Sequence, residues 1–223
     1  MRDGYYYDEY LEKELPIEET FEENANLSEE EIEQRIQRVQ VDLWGEYIPT
    51  FYQYEWFEHF TQRDESGRLR KNLEGCAVVH RRAGKSTGVF KTFFLPWMLE
   101  ERGTYHHAFP TLAQGKKAIW SGQGRITRDS GAQAVPYIYL IPQELWFKKN
   151  NQDMTIELLN GSIYQLVGVK GQDGSADHLL GLNVAGVVAD ECKDWKDGIV
   201  GEIFQPMLDA PWENISEIRV KTL

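Results

Sequence analysis

Two short stretches of the chain hold side chains whose types and spacing suit work on a phosphate group. The first, His80-Arg81-Arg82-Ala83-Gly84-Lys85-Ser86, follows the apolar run Gly75-Cys76-Ala77-Val78-Val79 and opens a helical pattern. In a strand-loop-helix of this kind the backbone N–H groups and the helix N-terminus cradle phosphates, a lysine reaches the β and γ oxygens, and a serine hydroxyl ligates Mg²⁺. Lys85 and Ser86 fit those two roles, with Arg82, Ala83, Gly84 and Thr87 completing the loop. The G-x-x-x-x-G-K-[ST] pattern asks for glycine where the chain has Val79, so this stretch alone also suits a basic, solvated turn.

The second stretch is Val187-Val188-Ala189-Asp190-Glu191, an apolar run that ends abruptly in two carboxylates. At the C-terminal edge of a parallel sheet such a pair can serve Mg²⁺ through the aspartate and activate an attacking water through the glutamate. Alone, the pair also suits a solvated helix cap. A Gly-Lys-Ser loop after one strand and an Asp-Glu after another, within one α/β pattern, point together to a nucleotide-hydrolysing site with ATP and Mg²⁺ as ligands.

The same loop spells G-x-S-x-G over Gly84 to Gly88, the nucleophile elbow of α/β-hydrolases. That chemistry needs an acid and then a histidine after the serine, but the last histidine, His178, precedes Asp190. No motif marks Asp129, Asp153, Asp173 or Asp177 as the acid. His106 and His107 are adjacent on a predicted strand and point to opposite faces, which favours structural roles over a shared metal.

The elements around these motifs alternate. Ser28 and Glu31 form a capping box, and Leu27, Ile32, Ile36, Val39 and Leu43 follow at near-helical spacing, which predicts a lead helix over 29–43. An aromatic stretch runs from Trp44 to Phe60. Residues 85–100 read as helix despite Pro96, 104–109 as a strand, and Thr111 as the cap of a helix running to Trp120. Met154 to Leu159 and Ser162 to Val167 are strand-like runs joined by Asn160-Gly161, a strong hairpin signal. The pattern predicts an α/β fold with a mostly parallel central sheet flanked by helices, plus an N-terminal helical segment.

Charge is unevenly placed. The 223 residues are 41% hydrophobic with a net charge of −12, yet residues 1–40 alone carry −9. Residues 1–26 read as an acidic, Tyr-rich mobile arm, so the chain divides into an arm with lead helix (1–43) and a globular domain (44–223). The sequence shows neither the long apolar run of a membrane span nor the layout of a signal peptide, so no membrane partner and no secretion are expected. The acidity also argues against strong autonomous DNA binding, because duplex affinity rests largely on phosphate neutralisation. Lys116-Lys117 and Lys148-Lys149 are short basic pairs of the kind usually found on solvated surface.

Four segments in series resemble large terminase subunits, the ATP-driven motors that package DNA into heads of tailed bacteriophages. They are Val78 to Ser86, Ala108 to Trp120, Ile156 to Ser162 and His178 to Glu191. The resemblance implies a P-loop NTPase fold and accommodates Val79, since a phosphate loop without the first glycine and with an internal basic residue is typical of that family. It makes Arg81 a candidate sensor of the γ-phosphate and Gln53 a candidate adenine contact, although an ordinary amide in an aromatic segment suits Gln53 equally. Arg125 and Arg128 are candidates for an arginine that enters the site from a moving element or a neighbouring subunit; ordinary solvated arginines suit that stretch too.

The resemblance further implies double-stranded DNA, a portal protein and a small terminase subunit as partners. It implies a homo-oligomeric ring when assembled, and action in the host cytoplasm at the procapsid portal. Three departures mark its limits. Leu179-Leu180-Gly181 stands where many relatives have Leu-Arg-Gly, the Ser/Thr-rich coupling motif is not recognisable in Ile215 to Leu223, and no nuclease domain follows, so no DNA cutting is expected from these residues. A superfamily 2 helicase-like translocase shares both motifs, and a catalytically silent nucleotide-binding scaffold is the reading from another class.

Overall fold

In the computed structural model the described residues are 5–8, 13–46, 49–71, 73–79, 83–121, 125–126, 135–170, 176, 179, 183–192, 195, 198–204, 208 and 218–222. Two strands of the acidic N-terminus, β1 (Tyr5–Asp8) and β2 (Lys13–Pro16), pair antiparallel. β3 (Glu18–Thr20) and the short helix α1 (Glu22–Ala25) follow. Helix α2 (Glu29–Glu46) starts at the predicted box: Glu31 accepts hydrogen bonds from the Ser28 N–H and hydroxyl at 2.8 and 2.7 Å. Helix α3 (Phe51–Phe60) leads into strand β4 (Leu73–Ala77).

Helix α4 (Lys85–Val89) continues through a π-type turn over Phe90–Phe94 into α5 (Leu95–Glu100). The wide turn lies directly before Pro96, whose ring and missing N–H would break a regular helix ladder there. Strand β5 (Thr104–Phe109) has its predicted bounds. Thr111 caps α6 (Leu112–Gly115), its hydroxyl accepting from the Gln114 N–H at 3.2 Å, and a second π-type turn completes the helix at Trp120. The short pair β6 (Arg125–Ile126) and β7 (Val135–Pro136) precedes β8 (Trp146–Asn150). The remaining strands are β9 (Thr155–Leu158), β10 (Ile163–Gly168), β11 (Gly186–Ala189) and β12 (Ile218–Thr222).

One eight-stranded sheet runs β3-β8-β9-β10-β5-β11-β12-β4. From β10 to β4 every neighbour is parallel, and from β3 to β10 every neighbour is antiparallel. The parallel expectation therefore holds for the half that carries both motifs. The antiparallel half begins with the Asn160-Gly161 hairpin, where Gly161 takes a positive φ of 80°. Both faces of the sheet are covered. Tyr105, Phe109, Tyr164 and Val188 point into a large core with the helical segment 85–100, while Ala108, Val187 and Ala189 join Ile203, Phe204 and Leu208 on the opposite face.

Two sequence expectations change. The strand before Gly84-Lys85-Ser86 is 73–77, not 75–79, and Val78 is exposed; among the described residues β4 is an edge strand paired with β12 alone. Within the acidic segment, Lys13–Pro16 and Glu18–Thr20 are strands and Glu22–Ala25 is a helix, in place of an arm. Glu18–Thr20 pairs with Lys148–Asn150, and buried Asn24 donates to the Trp146 carbonyl at 2.7 Å. Opposite charge explains the seat, since Lys148 lies 2.9 Å from Glu18 and Lys149 lies 3.4 Å from Glu19.

Candidate active site

The parallel half brings the two motifs together. β12 lies between β4 and β11, and its register sets Lys221 level with both Cys76 and Ala189. The C-terminal ends of the loop strand and the Asp-Glu strand therefore stand level, about 10 Å apart across one intervening strand. Ligands of open α/β sheets bind at such edges.

The loop is shaped by glycine. Gly84 has φ 78° immediately before α4, and a Cβ there would lie 2.8 Å from Gln53 Nε2. Helix α3 braces this corner. Tyr52 donates its hydroxyl to the Ala83 carbonyl, and Gln53 Nε2 donates to the Gly84 carbonyl at 2.8 Å. The other end of the Gln53 amide accepts from the Thr50 N–H at 2.9 Å as part of the α3 capping box. Gln53 is thus buried with each polar end engaged in one hydrogen bond, which leaves a second N–H and a second acceptor lone pair on the amide.

Lys85 reaches across to the second motif, with Nζ 2.5 Å from Asp190 Oδ1 and 3.5 Å from Glu191 Oε1. Burial alone would drive Asp190 towards its neutral form, but His107 and Lys85 facing it hold its carboxyl well below the usual range. For Lys85 burial again opposes charge, and the two carboxylates outweigh it and raise its pKa. Asp190 Oδ1 also accepts the Glu191 N–H at 2.9 Å. That bond accompanies a left-handed backbone at Glu191, φ 55°, a conformation a non-glycine residue holds at a cost and one that clusters at active sites. The Glu191 side chain stays 42% exposed, open to water, whereas that of Asp190 is 5% exposed.

Ser86 and Thr87 sit half-buried in the first turn of α4. Arg125 lies on β6 and pairs with Pro136. Arg81, Arg82 and Arg128 lie outside the described residues, as does the Arg125 side chain. Sequence reading missed His107, whose Nε2 lies 3.8 Å from Asp190 Oδ2. Alternation predicted its face, but the register that sets it beside Val188 is not written in local sequence.

This arrangement, a glycine-shaped loop opening a helix and an Asp-Glu at the edge of a parallel sheet, is that of a P-loop NTPase fold. Among solved structures the chain is similar to the large terminase from a thermophilic bacteriophage, with a TM-score of 0.53 and 13% identity over 79% of this chain and 39% of that one. The same terminase in complex with ADP gives a TM-score of 0.51 and 14% identity over 77% of this chain and 38% of that one. This chain thus spans about two fifths of the length of that terminase. No family model and no curated protein matches it. Among the described residues no helix is long and apolar enough to cross a membrane.

Proposed function

We propose that the chain is the Mg²⁺-dependent ATPase part of a motor that translocates double-stranded DNA into a bacteriophage procapsid. The observation that carries this reading is the meeting of Lys85 with Asp190 and Glu191 at the C-terminal edge of the parallel strands. The fold likeness to large terminases and the four resembling segments support it.

In this reading the backbone from Arg82 to Thr87 and the Lys85 ammonium hold the β- and γ-phosphates. Ser86 and Asp190 suit the metal, being hard oxygen donors of which the second remains ionised and already faces a cation. Mg²⁺, when bound, neutralises charge on the phosphate oxygens. Glu191 orients a water and takes its proton as the water oxygen bonds to the γ-phosphorus; the bond to the β-bridging oxygen breaks, giving ADP and phosphate. Arg81 senses the γ-phosphate, and Arg125 or Arg128 enters from a neighbouring copy in a ring. Double-stranded DNA, a portal protein and a small terminase subunit are the partners this role requires.

The test is Mg²⁺-dependent phosphate release from ATP by the wild type and Glu191→Ala at several protein concentrations, with nucleotide binding measured in parallel. Turnover lost in the variant while ATP still binds supports the reading. A specific activity that rises with concentration supports an arginine acting in trans. Binding without turnover at every concentration favours a silent scaffold, and absence of binding overturns the phosphate-loop assignment.

A further inference from the structure

Behind Asp190, on the side away from solvent, stands a pair of polar groups that ATP hydrolysis as described does not use. His107 is fully buried, its ring packed against Phe94 and Phe109 at centroid distances of 5.2 and 4.8 Å. Its Nδ1 lies 2.9 Å from the hydroxyl of Tyr164, which is also fully buried. Burial keeps that phenol protonated, so the hydroxyl has a hydrogen to give, and donating it to Nδ1 leaves the imidazole hydrogen on Nε2. Nε2 makes no hydrogen bond, and it faces Asp190 Oδ2 at 3.8 Å, beyond hydrogen-bond reach. The two carboxylate oxygens are thus divided: Oδ1 meets Lys85 and the Glu191 N–H, and Oδ2 turns towards His107.

We infer that His107 is a positioning residue for Asp190, its Nε2–H closing onto Oδ2 when phosphate draws Lys85 away from Oδ1. The inference rests on the ATPase reading. His107 Nε2 is itself buried with no hydrogen bond, and closing onto Oδ2 relieves that cost. The donor acts from a fixed direction, since aromatic rings enclose the imidazole and Tyr164 holds its Nδ1. The carboxylate is then held at an orientation set by the sheet, as partners behind a metal-binding group commonly do.

Two measurements on the full chain test this. Histidine ¹⁵N NMR of the wild type is expected to show His107 protonated at Nε2, with Nδ1 as an acceptor that loses its partner in Tyr164→Phe; an Nδ1–H tautomer overturns the inference whatever the activity. In steady-state ATP hydrolysis, His107→Phe keeps the ring volume without the donor. It is expected to lose about 10- to 100-fold in kcat while KM and the melting temperature change little, and His107→Gln, which restores an N–H, is expected to recover part of the loss. An unchanged kcat in His107→Phe, or a Gln variant no better than Phe, overturns the inference. A wild type that neither binds nor hydrolyses ATP instead overturns the ATPase reading, and the NMR result then still decides the tautomer.

Discussion

Lys85 Nζ sits 2.5 Å from Asp190 Oδ1, so the ammonium at the start of α4 and the carboxylate after β11 neutralise each other across β12. Each is charged in a place where burial opposes charge. Lys85→Ala leaves Asp190 without this partner. The expected result is loss of ATP binding together with about 3 kcal/mol of folding stability, read from urea denaturation. A variant as stable as the wild type would show that the pair does not form in solution.

Glu191 holds φ 55° next to that pair. Glycine adopts this region freely, whereas alanine meets the left-handed penalty. Glu191→Gly is therefore expected to be about 1 kcal/mol more stable than Glu191→Ala, with phosphate release lost in both. Equal stability would mean that the turn relaxes once the glutamate is gone.

Gln53 joins α3 to the loop through Thr50 and Gly84. Two bonds worth about 1 kcal/mol each fix the Gly84 carbonyl and the helix start. Gln53→Ala is expected to weaken ATP and GTP alike, by about tenfold, in an equilibrium binding assay. A change in the ATP-to-GTP preference of more than about threefold would instead show a base-reading role for this amide.

Stability should also fall on acidification. Burial lowers the pKa of His106 to about 4, only partly opposed by its hydrogen bond to Gln165, and burial lowers that of His107 as well. A folded-state pKa below the unfolded value of about 6.5 means that the unfolded chain binds the extra proton. The stabilisation is complete above about pH 6.5 and is lost as pH falls towards 4, with His106 contributing about 3 kcal/mol over that window. Asp190, also depressed, adds a loss at still lower pH, below the ordinary carboxylate range. Urea denaturation of the wild type and His106→Leu between about pH 7 and 4 checks this, with the variant expected to show a shallower decline.

The parts of the site that were legible in sequence are those encoded locally. Gly84-Lys85-Ser86 after an apolar strand, Asp190-Glu191 at the end of another, and the Asn160-Gly161 turn each carry their geometry within a few residues. What stayed hidden depends on pairing between distant segments. His107 reads as a core histidine until the β5–β11 register sets it behind Asp190. Glu18 and Glu19 read as a solvated tail because their strand sits at a sheet edge, held by Lys148 and Lys149 from far along the chain. Gln53 reads either as an adenine contact by resemblance or as an ordinary amide, and neither reading shows its bond to the Gly84 carbonyl, 31 residues downstream.

The acidic strand β3 has a consequence for how the protein behaves in crowded solution. A β-edge invites any passing extended chain to add itself, and the β8 flank of this sheet would otherwise offer five residues of backbone for the purpose. With β3 seated there, the rim is only three residues long and carries Glu18 and Glu19. A border this short offers little backbone for another extended chain to pair with. The strand in this seat thus blunts the sheet edge that lies opposite β4 and the Gly84 loop.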